Sequence, residues 1–463
     1  VENRISDMIR ILLLSGICVV ILASCNRDNS KVEKFRHKIR YVVVIYEENW
    51  SFDGLYGHFP GANNLANAKG MHQVDANSHW LDSIPQPGFG PWTTALTPDA
   101  RFPDSLANQP YALGSYKILP GDTTGDITHR FYTEQKQIDG GKMDKFVLYS
   151  ENHGLVMSNF DATNLPEGKL AQQFTLCDNF FHSGFGGSFF NHIMLVAAQP
   201  IWWDKPDPSL ITIPSSSKLY TWDNTVDTDG HTAINTCYSS LLHSSGTAGK
   251  NIINSQTKIK TIGDLLSKAG VSWAWFSGGW NDAINGNADA DFQYHHQPFT
   301  YFENYKNDVD PNYKGIKHLL DESEFKNDIK AGGLPQASFL KAIGEENEHP
   351  GYTNVLLGQR HVDSIVQAIM HSKYWDSTAI IITYDEHGGR WDHVAPPKGD
   401  KWGPGTRVPA IIISPYALKG KVDHTQYETV SILKFIETLF DLPSLTERDK
   451  KAADLLNAFD FGK

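Results

Sequence analysis

Cysteine is scarce in this chain, four residues in 463. Cys18 and Cys25 lie in the N-terminal segment, so the rest of the chain has only Cys177 and Cys237, which is one disulfide or two small buried residues and too few for a disulfide framework. No useful run of Lys or Arg follows the N-terminal segment, and the formal net charge is −12. Both features argue against nucleic acid as a partner. Long apolar runs are missing as well, since Ile11 to Ala23, interrupted by Ser15, Gly16 and Cys18, is too short for a convincing membrane span. No repeat of solenoid type is present. Aromatic residues, by contrast, make up 12% of the chain with twelve Trp, which suits a pocket gripping sugars, bases or apolar groups.

The N-terminus reads as a processing signal. Arg4 and Arg10 precede the apolar run, and Leu22-Ala23-Ser24-Cys25 resembles the bacterial lipoprotein signal, in which the cysteine is lipidated and becomes the new N-terminus. The expectation is a signal peptide over 1–24, a lipidated tether over 25–40 anchored to the membrane at Cys25, and one domain over 41–463. Export to the bacterial cell envelope, on the periplasmic side or the cell surface, follows from this.

Two apolar runs end in acid. Tyr41 to Tyr46 leads into Glu47-Glu48-Asn49-Trp50-Ser51-Phe52-Asp53, and Ala379-Ile380-Ile381-Ile382 leads into Asp385 and Glu386 before Gly388-Gly389. Both read as buried strands. If they lie parallel, their carboxyl ends share one sheet edge, where open α/β sheets bind ligands, and Glu48, Asn49, Asp385 and Glu386 can share one ion. Oxygen ligands favour Mg²⁺, Ca²⁺ or Mn²⁺ over a thiolate zinc site, and the metal's identity stays open. Solvated loops after ordinary strands are the plain alternative.

Gly184-Phe185-Gly186-Gly187-Ser188 precedes an apolar run of helical length, Phe189 to Ala198. Backbone N–H groups and the helix dipole there make a cradle for phosphate. Ser188 is placed to attack phosphorus, with Asn191 one turn further on as an oxygen contact; a serine capping the helix is the commoner meaning of such a sequence. Residues 57–126 read as surface loops, and Asp126 to Arg130 opens a helix. Residues 203–260, polar and aperiodic, read as an insertion bearing on substrate choice. Thr261 to Leu266 is helix-like and Val271 to Phe276 strand-like, the α/β rhythm. A helix over Val362–His371, a strand over Val408–Ser414 and an amphipathic helix over Ser431–Phe440 follow.

Together these motifs resemble the bacterial phosphoesterase family that contains phospholipases C and acid phosphatases, within the alkaline phosphatase superfamily. The resemblance rests on Glu48 to Asp53, Gly140 to Asp144, Asn347-Glu348-His349-Pro350-Gly351-Tyr352, Tyr384 to Gly389 with Asp392-His393, and Arg407 to Pro409 through Tyr416. It implies an α/β fold with a central, mostly parallel sheet flanked by helices and loop-rich insertions. It further implies a divalent metal on Glu48, Asn49, Asp385 and Glu386, Ser188 as nucleophile, and His129, His296 and His349 around the phosphate, where histidinium favours an acidic optimum. His424 matches a family histidine and is counted with Asn191 toward the substrate. Gly187 and His192 depart from the Pro and Arg that phospholipases usually carry at these places.

The expected activity is hydrolysis of phosphomonoesters by an acid phosphatase through a phosphoseryl intermediate, on a small phosphate ester or a phospholipid. The first alternative is a phospholipase C acting on diesters, for which a choline head group needs an aromatic cage; Trp273, Trp275, Trp280 and Trp391 are near the motifs. The second, of another class, is a surface lipoprotein that binds ligands without turnover.

Overall fold

In the computed structural model, residues 30–90, 96–212, 224–247 and 249–462 are described; the expected signal peptide and Cys25 lie outside them. The chain enters as helix α1 (residues 30–38) and passes into β1 (Tyr41–Glu47). Val42-Val43-Val44-Ile45 are β-branched residues suited to a pleated sheet packed on both faces, and all four are buried.

Seven further strands join it: β2 (Thr175–Cys177), β3 (Trp273–Ser277), β4 (Leu319–Asp321), β5 (Ala337–Lys341), β6 (Thr378–Tyr384), β7 (Ala410–Ile413) and β8 (Lys421–Asp423). Their order across the sheet is β4-β3-β5-β1-β6-β7-β2-β8. β1 runs parallel to both β5 and β6, β3 parallel to β4 and β5, and β2 parallel to β8. Only β7 is reversed, antiparallel to β6 and β2. The fold is therefore α/β with a large, mostly parallel mixed sheet flanked by helices.

The register pairs Glu47 with Tyr384, so the acidic residues that follow each strand emerge level with one another. The helices that matter for the site are α2 (Phe52–Tyr56), α3 (Phe131–Ile138), α4 (Ser188–Ala197), α5 (Val355–Met370) and α6 (Thr429–Phe440). α4 packs against α6, and all ten of its residues are buried, as an all-round apolar helix must be.

Several boundaries differ from the sequence reading. The helix expected over Val362–His371 starts at Val355, because the Asn354 side chain caps it by accepting from the Leu357 N–H. The helix expected to open at Asp126 to Arg130 begins instead at Phe131, with Arg130 at its cap. β5 was not marked from the sequence, and it sits between β3 and β1 with every residue buried. Cys177 and Cys237 are buried and unpaired.

Residues 30–38, within the tether expected over 25–40, instead form α1, which docks on the domain. Phe35 is fully buried, with its ring 4.8, 6.5 and 5.6 Å from those of Phe435, Phe459 and Phe461. Arg36 also donates to Asp441 at 2.6 Å. Phe35→Ala should cost about 3 kcal/mol through the cavity it leaves, read as a lower urea midpoint. A midpoint equal to the parent's would make residues 30–38 a mere tether.

Candidate active site

Burial of the β1 and β6 ends forces carboxylates into the protein interior. Glu48, Asn49, Asp385 and Glu386 are all fully buried, and Asp385 is fixed on β1 by its N–H bond to the Glu47 carbonyl at 3.0 Å. The four residues singled out as ligands thus come together. Asn49 Nδ2 donates to Glu386 Oε1 at 2.8 Å, and Glu386 Oε2 accepts from the Gly388 N–H at 2.6 Å. Gly388 has φ +60, and a Cβ there would lie 2.1 Å from the Asn49 carbonyl, so this turn admits no side chain.

Ser188 opens α4 at the rim of the same edge. Its hydroxyl donates to Glu48 Oε2 at 3.0 Å, with Glu386 Oε1 at 3.5 Å. The turn before it depends on Gly186, where φ is +88 and a Cβ would meet the Phe131 N at 2.5 Å. Asn191 does not face the cavity as a substrate contact. Its amide is taken up by the glycine loop, accepting from the Gly184 N–H at 2.8 Å and donating to the Gly184 carbonyl at 2.9 Å. Glu134 on α3 holds the loop from the other side, accepting from the Gly186 N–H at 2.6 Å.

Histidines surround this edge. His296 Nε2 lies 2.7 Å from Glu48 Oε1, His349 Nε2 is 3.9 Å from Glu48 Oε2, and His129 Nε2 is 3.4 Å from Glu386 Oε1. All three line a cavity of about 360 Å³ together with Glu48, Ser188 and Tyr352. His424 does not line it. Its side chain is 64% exposed and pairs with Asp178, so the substrate role expected for it is withdrawn. Trp273, Trp275, Trp280 and Trp391 are all buried in the core and none lines the cavity, which removes them as an aromatic cage.

Two residues beside the site, Lys341 and His192, had no role assigned from the sequence. Lys341, at the end of β5, is fully buried with its Nζ 2.8 Å from Glu48 Oε1. A lysine closing an otherwise uncharged five-residue run was the available signal. His192, one turn beyond Ser188, donates through Nδ1 to the Ser188 carbonyl at 2.8 Å and lies 3.8 Å from Asp385.

The charges do not balance evenly. Burial pushes the Glu48 carboxyl up, but His296 and Lys341 outweigh it and hold Glu48 well below the usual carboxylate range. Burial, with Glu48 adding to it, pushes Asp385 well up, and burial does the same to Glu386. His349 is driven down to about 4 by burial, and burial lowers His296 too. Asp385 Oδ2 and Asn49 Oδ1 are buried without a hydrogen-bond partner among the described residues. Orphaned oxygens beside under-compensated carboxylates are what a hard cation would satisfy, so the residues present fit a divalent ion. Acid and histidine clusters close enough to hold a metal are present here at Glu48, His192 and His296, and behind the glycine loop at Glu134, His182 and His387.

The remaining motif residues brace the site. Arg407 Nε donates to Asp392 Oδ1 at 2.8 Å and Nη2 to Asp53 Oδ1 at 3.2 Å, while His393 Nδ1 lies 2.6 Å from Asp53 Oδ2. His387 stacks on His182, with ring centroids 5.3 Å apart. Lys341→Met should destabilise the protein by about 3 kcal/mol, because Glu48 then stays buried with one cation fewer. Urea unfolding in a chelator measures this without any metal, and an unchanged midpoint would deny Lys341 that role.

A family model described as the phosphoesterase family matches residues 39–443. Phospholipase C B of Mycobacterium tuberculosis is 25% identical over 470 residues, spanning 91% of this chain and 78% of its own length. Non-specific phospholipase C1 of Arabidopsis thaliana is also 25% identical, spanning 93% and 73%. Among solved structures, a protein in the alkaline phosphatase superfamily from Vibrio parahaemolyticus is similar at 15% identity and a TM-score of 0.35, with 63% of each chain covered. With the family match extending across nearly all of the described sheet, this chain belongs to the phosphoesterase family and is a hydrolase acting on phosphoric ester bonds.

Proposed function

We propose that the protein is an exported acid phosphatase that cleaves phosphomonoesters through a phosphoserine at Ser188, with a divalent metal held by Glu48, Asn49, Asp385 and Glu386. One observation carries the reading: the Ser188 hydroxyl stands 3.0 Å from Glu48 Oε2 on the wall of a cavity of about 360 Å³. A serine at this place resembles the acid phosphatase branch, where many phospholipases C carry threonine. The signal-like segment and lipidated Cys25 support export and anchoring in the bacterial envelope, by sequence alone.

Bound on the four oxygen-bearing residues, the ion would supply positive charge that acidifies the serine hydroxyl and neutralises phosphate oxygens. Glu48, kept charged by His296 and Lys341, orients that hydroxyl. The N-terminus of α4 and the Gly187-Ser188 backbone favour the phosphate's negative charge. Ser188 Oγ then passes its proton to Glu48 Oε2 and forms a bond to phosphorus as the bond to the leaving oxygen breaks, and a cavity histidine, His129, gives that oxygen its proton. Water next cleaves the phosphoserine, returning the hydroxyl and releasing phosphate.

The named phospholipases C among its relatives support a second reading, hydrolysis of phosphodiesters. Turnover of nitrophenyl phosphate against nitrophenyl phosphorylcholine separates the two, and preference for the second compound would replace the first reading. Ser188→Ala should abolish turnover with the melting temperature retained; activity like the parent's would end the nucleophile assignment. Asp385→Asn should lower the divalent metal that the purified protein retains by elemental analysis, and unchanged metal content would remove Asp385 from the ligand set.

A further inference from the structure

The cavity is larger than a phosphate needs, and its outer part is built by the insertion. Thr225, Thr236, Tyr238 and Asn251 come from residues 203–260, and Gln293 and His295 from the loop after β3. Apart from Glu48, Arg130 and the histidines, no side chain that lines it is charged. The Thr236 hydroxyl, the Tyr238 hydroxyl and the Gln293 amide make no hydrogen bond to the described residues. The His295 ring lies beside that of His296, with centroids 4.5 Å apart, and its two ring nitrogens can offer one donor and one acceptor.

Each of these groups both donates and accepts. A second phosphate would call for more cations, and a quaternary ammonium for aromatic faces such as the four tryptophans that are buried elsewhere. An acyl chain would leave these polar groups desolvated and unpaired. A hydroxyl, which donates and accepts in turn, is the matching partner. The volume of about 360 Å³ is near the lower end of ligand pockets, roughly 300–1,000 Å³, which suits a single sugar or polyol.

We infer that Thr236, Tyr238, Gln293 and His295 form a leaving-group subsite for a hydroxyl-rich alcohol, so that the substrates are sugar or polyol monophosphates. This rests on the monoesterase reading above. It gives the insertion a chemical purpose: the parallel-sheet edge handles the phosphate and the insertion reads what is attached to it.

The test compares hexose 6-phosphate with n-hexyl phosphate, both primary alkyl monoesters, with nitrophenyl phosphate as a common reference. The expected result is a kcat/KM at least about tenfold higher for the hexose ester, since a site built to hydrogen-bond hydroxyls discriminates against analogues lacking them. Thr236→Val and Tyr238→Phe should each shrink that ratio by about threefold or more. If nitrophenyl phosphate is hydrolysed but the two alkyl esters are turned over equally, or the variants lower both alike, the subsite is overturned while the monoesterase reading survives. If no monoester is hydrolysed and nitrophenyl phosphorylcholine is, the monoesterase reading falls and takes the subsite with it.

Discussion

Everything at the carboxyl edge of the sheet follows from the burial of like charges. Parallel strands covered on both faces bring Glu48, Asp385 and Glu386 out of water together, and desolvated carboxylates at such separations repel. Lys341 and His296 compensate Glu48, each within 2.8 Å of the same oxygen. Among the described residues Asp385 and Glu386 pair with no Lys or Arg, and burial pushes both well up. A divalent cation is the group that would complete this half of the site. The protein therefore divides the task, with Lys341 and the His296 ring holding Glu48 and orphaned oxygens on Asp385 and Asn49 where an ion would fit.

Such an arrangement needs a stiff surround, and the motif residues that do not face the cavity provide it. Asn191 and Glu134 clamp the glycine loop from two sides. Arg407 ties the loop after β6 to the start of α2 through Asp392 and Asp53. Behind the edge, the single hydroxyl proton of Tyr384 faces Glu167 Oε2 at 3.1 Å and Glu348 Oε2 at 3.0 Å. Satisfying both oxygens requires a protonated carboxyl, in keeping with burial pushing Glu167 up to about 7. This network sits directly before His349 in the chain, so the position of a cavity histidine is tied to the core.

How much of this was legible depended on whether the cue was local. β1 and β6 announced themselves because β-branched runs ended abruptly in acid, and their parallel pairing put Glu48, Asn49, Asp385 and Glu386 together. Ser188 was legible because glycines preceded an apolar helix. β5 was not, since Ala337-Ser338-Phe339-Leu340-Lys341 is short and mixed, and only its place between β3 and β1 buries it. Asn191 was correctly placed beside Ser188 but turns its amide into the loop, a matter of rotamer and neighbour. His424 matched a motif, yet its strand end leads it to Asp178 and solvent.

By itself, the sequence determined the fold class and the residue types at the sheet edge, because hydrophobic periodicity and strand-ending acids are properties of contiguous residues. Tertiary structure decided which cation meets which carboxylate, that α1 belongs to the folded body, and that the insertion supplies Thr236 and Tyr238 to the cavity wall. Lys341 and Glu48 are neighbours only because β5 lies beside β1. Sheet order is set by the packing of the whole chain, and no short stretch of residues encodes it.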